Sequence, residues 1–293
     1  ENFRDRSMGE LYVGNLHRFC SKLLFEAEAV PETATILDED DAREVIDSLA
    51  RERLLEDRPS SQSGERPLPE EPLPAFVADF IQHRAAELLQ RDRSFPEDTI
   101  QQAPAPEVNQ RNVEHLAAFG LVVHDENRNP IIDEDRVDKI ARDYLAYKES
   151  QELLDFNDLL LKAWLFLTDE RSFVKRYSWI QVDEVQDLSP LQLAIVERLW
   201  NDKEPSSVCV LFGDEQQAIF SFMGAKLERL QALSRTHEVH HLHRNFRSPS
   251  YLLDLFNKFA VNELDADPAL LPRAEKISKA PKGALRLLAA YSA

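Results

Sequence analysis

Residues 182–187 read Val-Asp-Glu-Val-Gln-Asp, at the end of the apolar run Trp179-Ile180-Gln181-Val182. A short strand that stops at two adjacent acids sets carboxylates at the carboxyl edge of a sheet, where open α/β sheets bind their ligands. One acid there can hold a hydrated magnesium ion and the other can take a proton from water; hydrolysis of a nucleoside triphosphate needs both. Asp183 suits the first role and Glu184 the second. The plainer alternative is an acidic strand end that only caps a neighbouring helix. Further on, the apolar run Val208-Cys209-Val210-Leu211-Phe212 also meets a turn, Gly213-Asp214-Glu215-Gln216-Gln217. A third segment, Leu242-His243-Arg244-Asn245-Phe246-Arg247-Ser248, adds two arginines.

Alternating helices and strands must position these groups. From residue 151 the pattern predicts helix 156–167, strand 178–182, helix 189–200, strand 207–212, helix 225–233, strand 237–242 and helix 248–264. That alternation means a parallel α/β sheet. Near the start, residues 8–30 read as a strand over 11–13, a turn at Gly14-Asn15 and a helix reaching about Ala29. Between these parts lies a helical stretch. A helix over 39–57, capped by Asp38, has Ala42, Val45, Ile46, Leu49 and Leu54 on one face, and a second helix spans 75–91. The proline-rich 58–74 reads as a linker, 92–109 as loop, and 110–149 as one or two helices broken by a polar turn at 125–130. The apolar run 284–290 reads as a new strand.

Composition sets outer bounds. The 293 residues are 43% hydrophobic and 30% charged, enough for two domains with substantial cores. No run of apolar residues is long enough to span a membrane, and the first residues carry no secretory core. Cys20 and Cys209 are far apart, without metal-ligand spacing, and a reducing cytoplasm is the natural compartment. The net charge of −18 argues against a protein that coats nucleic acid, although a local strip of contacts is compatible with it. A two-metal nuclease would need several converging acids. The run Asp38-Glu39-Asp40-Asp41 reads as a helix start instead.

Three blocks in this order resemble motifs II, III and IV of the UvrD/Rep-like superfamily 1 DNA helicases: Asp183 to Asp187, Gly213 to Ala225, and Asn245 to Ser248. Their usual forms are DExQD, GDxxQSIYxFRGA and NYRS. Tyr12 to Cys20 resembles motif Ib, and Leu154 to Leu160 resembles the stretch before motif II. The resemblance implies a RecA-like parallel sheet domain of a P-loop helicase with an inserted, mostly helical subdomain. Residues 1–35 and 151–272 would form the first RecA-like domain, 36–150 the insertion, and 273–293 the start of a second. It also implies an ATP-dependent, single-strand-translocating DNA helicase that uses ATP and Mg2+ and acts on single-stranded and duplex DNA.

Carried over residue by residue, the resemblance makes Asp183 the magnesium ligand and Glu184 the general base. Gln217 would sit near the γ-phosphate, and Arg247 would clamp it in the transition state. Asn15 and His17 fall where motif Ib meets DNA, though a lone histidine before a helix is more often structural. Phe220 and Phe222 match aromatic positions that stack on bases, worth about 1–3 kcal/mol per base. Alternate phenylalanines also mark one buried face of a strand. Gln186 and Asp187 would tie motif II to motif III, or only brace the turn. Met223 stands where the family has arginine and cannot make a charge-assisted bond, which leaves coupling to another residue such as Lys226. No Gly-x-x-x-x-Gly-Lys-Ser/Thr loop occurs among the seven glycines. The expectation is therefore a middle section of a longer helicase that is inactive alone. A helicase-derived DNA-binding or scaffold protein without motor activity is the alternative.

Overall fold

Side-chain caps fix most helix starts. The computed structural model describes residues 11–56, 68–91, 95, 105–106, 108–169, 177–200, 206–214, 217, 227–269 and 271–279. Asn15 accepts the Arg18 N–H and opens α1, Leu16–Glu26. Asp38 accepts the N–H groups of Asp40 and Asp41 and opens α2, Glu39–Glu56. Helix α3 covers Ala75–Arg91 and α4 covers Gln110–Ala118. Asp133 caps α5, Glu134–Ser150; Asp155 caps α6, Phe156–Thr168; and Ser189 caps α7, Pro190–Leu199. The last two are reciprocal capping boxes, with Asp158 and Gln192 as the returning partners, so two orphan N–H groups are satisfied at each start.

The chain forms two compact units, Glu1–Leu230 and Gln231–Ala293. In the first, two apolar clusters lie side by side. One joins α2, α3, α4 and α5 through Ile46, Val77, Ile81, Leu116, Phe119, Ile140 and Tyr144. The other joins α1, α6 and α7 through Cys20, Leu24, Leu159, Ala163 and Ile195. The chain crosses between them on two short strands, β1 (Thr35–Ile36) and β4 (Leu153–Leu154), which pair in parallel, Thr35 beside Leu153 and Ile36 beside Leu154. Strands β5 (Trp179–Val182) and β6 (Val208–Leu211) form a second parallel pair.

A buried ion cluster ties α5 to the start of α6. Lys148 Nζ donates to Asp155 Oδ2 at 2.7 Å and to Asp158 Oδ2 at 2.6 Å, and the Tyr144 hydroxyl donates to Asp155 Oδ2 at 2.9 Å. All three charged side chains are buried.

The structure corrects three local expectations. Residues 11–13 are not a strand; Leu11 and Val13 are exposed, and no partner strand runs beside them among the described residues. Residues 110–149 are not all helix. β2 (Val122–His124) and β3 (Pro130–Ile132) form an antiparallel hairpin between α4 and α5. The polar turn, expected only to interrupt helices, closes it: Asp125 accepts the N–H groups of Asn127 and Asn129, and Arg128 takes a left-handed φ of 65°. Residues 237–242 are not a strand either. In the second unit the pairing falls later, where β7 (Arg244–Asn245) runs parallel to β8 (Arg273–Ala274), with α9 (Ser250–Glu263) between them. Helix α8 spans Leu227–Thr236. The run 284–290 lies outside the described residues.

Candidate active site

β5 and β6 share a register from Trp179 beside Val208 to Val182 beside Leu211, so both end at one edge. The ladder goes one step further. Phe212 N–H donates to Val182 O at 2.8 Å, and Val185 N–H donates to Phe212 O at 2.9 Å. Because Val182 and Val185 both bond to Phe212, the two residues between them are pushed out of the ladder. Those residues are Asp183 and Glu184, and both are exposed. Glu184 adopts φ 52° and ψ 44°. A non-glycine residue in that region costs about 1–3 kcal/mol and persists where its surroundings hold it, commonly at functional sites.

Gln186 does the holding. It is buried, with Nε2 donating to Glu184 Oε2 at 2.7 Å and Oε1 accepting the Asp214 N–H at 3.2 Å. Asp214 in turn accepts Gln217 Nε2 on Oδ2 at 2.9 Å, and its carbonyl accepts the Gln217 N–H at 2.9 Å. A continuous chain of bonds thus runs Glu184–Gln186–Asp214–Gln217 and links the ends of both strands. Gly213 leaves room for it. A Cβ at that position would stand 2.6 Å from Gln186 Oε1 and 2.7 Å from Val185 Cγ1. Gly213→Ala is therefore expected to lower stability by about 1–3 kcal/mol, the usual cost of overpacking, read as a drop in Tm with CD detection. An unchanged Tm would show that Gln186 can move aside freely.

Asp183 uses Oδ1 to accept the Glu184 N–H at 3.0 Å. Among the described residues no three His, Cys, Asp or Glu side chains converge as a metal cage. A single carboxylate at a strand end is nevertheless a donor set that magnesium accepts, because Mg2+ keeps several waters and is completed by phosphate oxygens.

Beside the acids lies a groove of about 730 Å³ whose walls include Tyr12, Asn15, His17, Trp179, Val182 and Asp183. Asn15 faces it while capping α1, and its carbonyl accepts the Tyr12 hydroxyl at 3.0 Å. The half-buried His17 ring lies 5.1 Å from that of Phe156. Burial pulls the His17 pKa below its ordinary value, with Glu39 opposing weakly.

A family model of the UvrD/REP helicase N-terminal domain matches residues 1–238. The chain belongs to the UvrD/Rep helicase family. It is 35% identical over 118 residues to the ATP-dependent DNA helicase srs2 of Schizosaccharomyces pombe, covering 38% of this chain and 13% of that protein. It is 32% identical over 141 residues to the ATP-dependent DNA helicase UvrD2 of Mycobacterium tuberculosis, covering 45% of this chain and 20% of that protein. The ATP-dependent DNA helicase Rep of Buchnera aphidicola is 30% identical over 131 residues, 41% of this chain and 19% of that protein. The matched stretches thus span a fifth or less of these relatives' lengths.

Of the residues singled out by the UvrD/Rep resemblance, the structure brings Asp183, Glu184 and Gln217 to one edge, and Asn15 and His17 into the adjoining groove. Arg247 is exposed in the second unit, where its N–H and that of Ser248 donate to Asn245 Oδ1 at 3.0 and 2.7 Å. Phe220, Phe222, Met223 and Lys226 lie outside the described residues. Sequence reasoning left the role of Gln186 open; its link to Asp214 is now explicit. It missed Trp179, which is 62% exposed in the groove. The alternation in β5, with Trp179 and Gln181 outward, was the available signal. Cys20 is buried, which pushes its thiol up to about 12, and Cys209 is raised by burial and by the charge of Glu197. Neither is a reactive thiolate. No helix among the described residues is long and apolar enough to cross a membrane.

Proposed function

We propose that this chain is the ATP-hydrolysing and DNA-gripping part of a UvrD/Rep-type single-strand DNA translocase, a helicase using ATP and Mg2+ on single-stranded and duplex DNA. The bond chain Glu184–Gln186–Asp214–Gln217 carries the reading. A scaffold has no use for a strained glutamate wired to a glutamine in the turn beyond the next strand. In the proposed fold the β5–β6 pair belongs to a RecA-like sheet, and the helical cluster around α2, α3 and α5 is its inserted subdomain. The separate apolar core of that cluster and its paired entry and exit strands support this.

Each residue has one task. Asp183 holds the magnesium ion, which neutralises phosphate charge when bound. Glu184 takes the proton from the attacking water. Gln217 orients that water or reads the γ-phosphate, and Arg247 stabilises charge there as the phosphoryl group leaves. Asn15, His17, Phe220 and Phe222 contact the DNA strand, and Trp179 adds an aromatic wall beside the first two. The 293 residues contain no phosphate-cradling Gly-x-x-x-x-Gly-Lys loop, so alone they are expected to hydrolyse no ATP.

The test is strand displacement and ATP hydrolysis by a protein that joins these residues to such a loop. Hydrolysis stimulated by single-stranded DNA and abolished by Asp183→Ala supports the motor. DNA binding with no hydrolysis overturns it in favour of a scaffold. His17 offers a finer check. With its pKa held down, its ring meets DNA as a neutral group and releases no counterion. His17→Ala is expected to weaken single-strand binding while leaving the slope of log K against log salt unchanged. A shallower slope would mean a charged contact.

A further inference from the structure

Half of the eight histidines fall within one short stretch of the second unit: His237, His240, His241 and His243. Two of them are already engaged. The His237 ring, through Nδ1, meets Thr236 Oγ1 at 2.9 Å and Leu233 O at 3.1 Å, which ties it to the end of α8. His240 Nε2 lies 3.0 Å from Glu238 Oε1. His241 and His243 are different. They stand two residues apart, a spacing that places side chains on one face of extended chain. Their ring centroids lie 5.9 Å apart, with the planes tilted by 34°. Both are exposed. The backbone beneath them is anchored, because His243 O accepts the Arg273 N–H at 2.6 Å where β7 and β8 begin to pair.

We propose that His241 and His243 chelate a divalent transition-metal ion of the zinc, nickel and copper class. A zinc–imidazole bond is about 2.0–2.1 Å, so two ligating rings have centroids within about 6.4 Å, counting a ring radius on each side. The observed 5.9 Å lies inside that upper bound, and a closure of about 0.7 Å brings the pair to the roughly 5.2 Å of a tetrahedral ion. Imidazole nitrogen suits these ions and not magnesium, which prefers oxygen. The net charge of −18 favours cations of any kind, and the ring pair supplies the selectivity. With two protein ligands the remaining positions belong to water, which makes this an open, exchangeable site. Its consequence reaches Arg247. The metal clamps the chain just before β7, and Asn245 of β7 holds the Arg247 N–H, so the ion braces the turn that presents the guanidinium.

The experiment is calorimetric titration of the full chain with zinc chloride, with magnesium chloride in the buffer. One saturable zinc site per chain is expected. His241→Asn and His243→Asn are each expected to weaken it by about 10–100-fold, at least as much as losing a group that merely supports a ligand. His237→Asn and His240→Asn should leave it in place. All four substituted side chains are exposed, so CD spectra should superimpose. Equal small losses from all four single variants would reduce the site to a diffuse histidine-rich patch and overturn the proposal. So would displacement of zinc by magnesium, which would locate the ion at Asp183 and the strand-end carboxylates.

Discussion

Glu184→Gln is expected to lower DNA-stimulated kcat for ATP hydrolysis by about 10²–10⁴-fold, the usual contribution of a positioned general base. The measurement needs a protein that supplies the phosphate loop. The substitution is nearly isosteric, and its amide oxygen can still accept Gln186 Nε2, which now donates to Glu184 Oε2 at 2.7 Å. Folding and nucleotide affinity should therefore be preserved, with Tm and KM for ATP close to those of the parent. A variant that kept full kcat would remove Glu184 from the base role. Gln186→Leu is the companion. It leaves both acids present but cuts the link to Asp214, so kcat should fall without loss of the carboxylate.

Lys148→Ala is expected to cost about 3–5 kcal/mol, because removing one partner of a buried ion pair leaves the other charges uncompensated. Here two carboxylates are abandoned. Asp155 and Asp158 both bond to the ammonium, at 2.7 and 2.6 Å, and both are buried. Against a total stability of about 5–15 kcal/mol this is severe, and urea or thermal unfolding reads it directly. A loss below about 1 kcal/mol, the range of exposed pairs, would mean that water reaches the cluster.

The same cluster sets a pH dependence. For Lys148, burial pulls downward but the charges of Asp155 and Asp158 outweigh it and hold its pKa above the ordinary value. Its stabilisation is present below the unfolded value and disappears as pH rises through the folded one. Burial pushes Asp155 up, yet Lys148 holds it below its ordinary range, so its contribution is lost as pH falls. Asp158 has the opposite sign: burial and the charge of Asp155 raise it, and protonation in acid relieves that repulsion. Acid destabilisation of the parent is thus partly offset. Asp158→Asn should remove the offset and steepen the decline of Tm below the carboxylate range.

The strand-end acids, the parallel pairing of β5 with β6 and the helices α2, α3, α6 and α7 were legible in the sequence, because each has a strong period and a cap or turn at its boundary. Asp38, Ser189 and Asp155 are such caps. Three features were not legible, for different reasons. The β2–β3 hairpin has strands of three residues each, too short for alternation to declare itself beside helical neighbours. β1 and β4 are two residues each and separated by more than a hundred positions, so only tertiary contact reveals them. The left-handed Glu184 is a local strain that no residue preference announces; it follows from Val182 and Val185 sharing Phe212. Within the site, residue types pointed to a chemistry, but the wiring through Gln186 depended on its burial.

The pairing of β1 with β4 has a consequence for how such a chain can change over time. Parallel neighbours lie about 4.8 Å apart, so the chain leaves and re-enters the α1–α6–α7 cluster at nearly one point, Thr35 beside Leu153. Everything between enters and leaves through a doorway two strands wide, and it also rests on that cluster through Ala86 and Phe95. Segments whose ends meet are the ones that tolerate insertion and replacement. The stretch from α2 to α5 is therefore expected to behave as a cassette that tolerates enlargement or trimming without redirecting the chain that bears the strand-end acids, provided that the lock of Lys148 on Asp155 and Asp158 and the seat of Ala86 and Phe95 on the second cluster are kept.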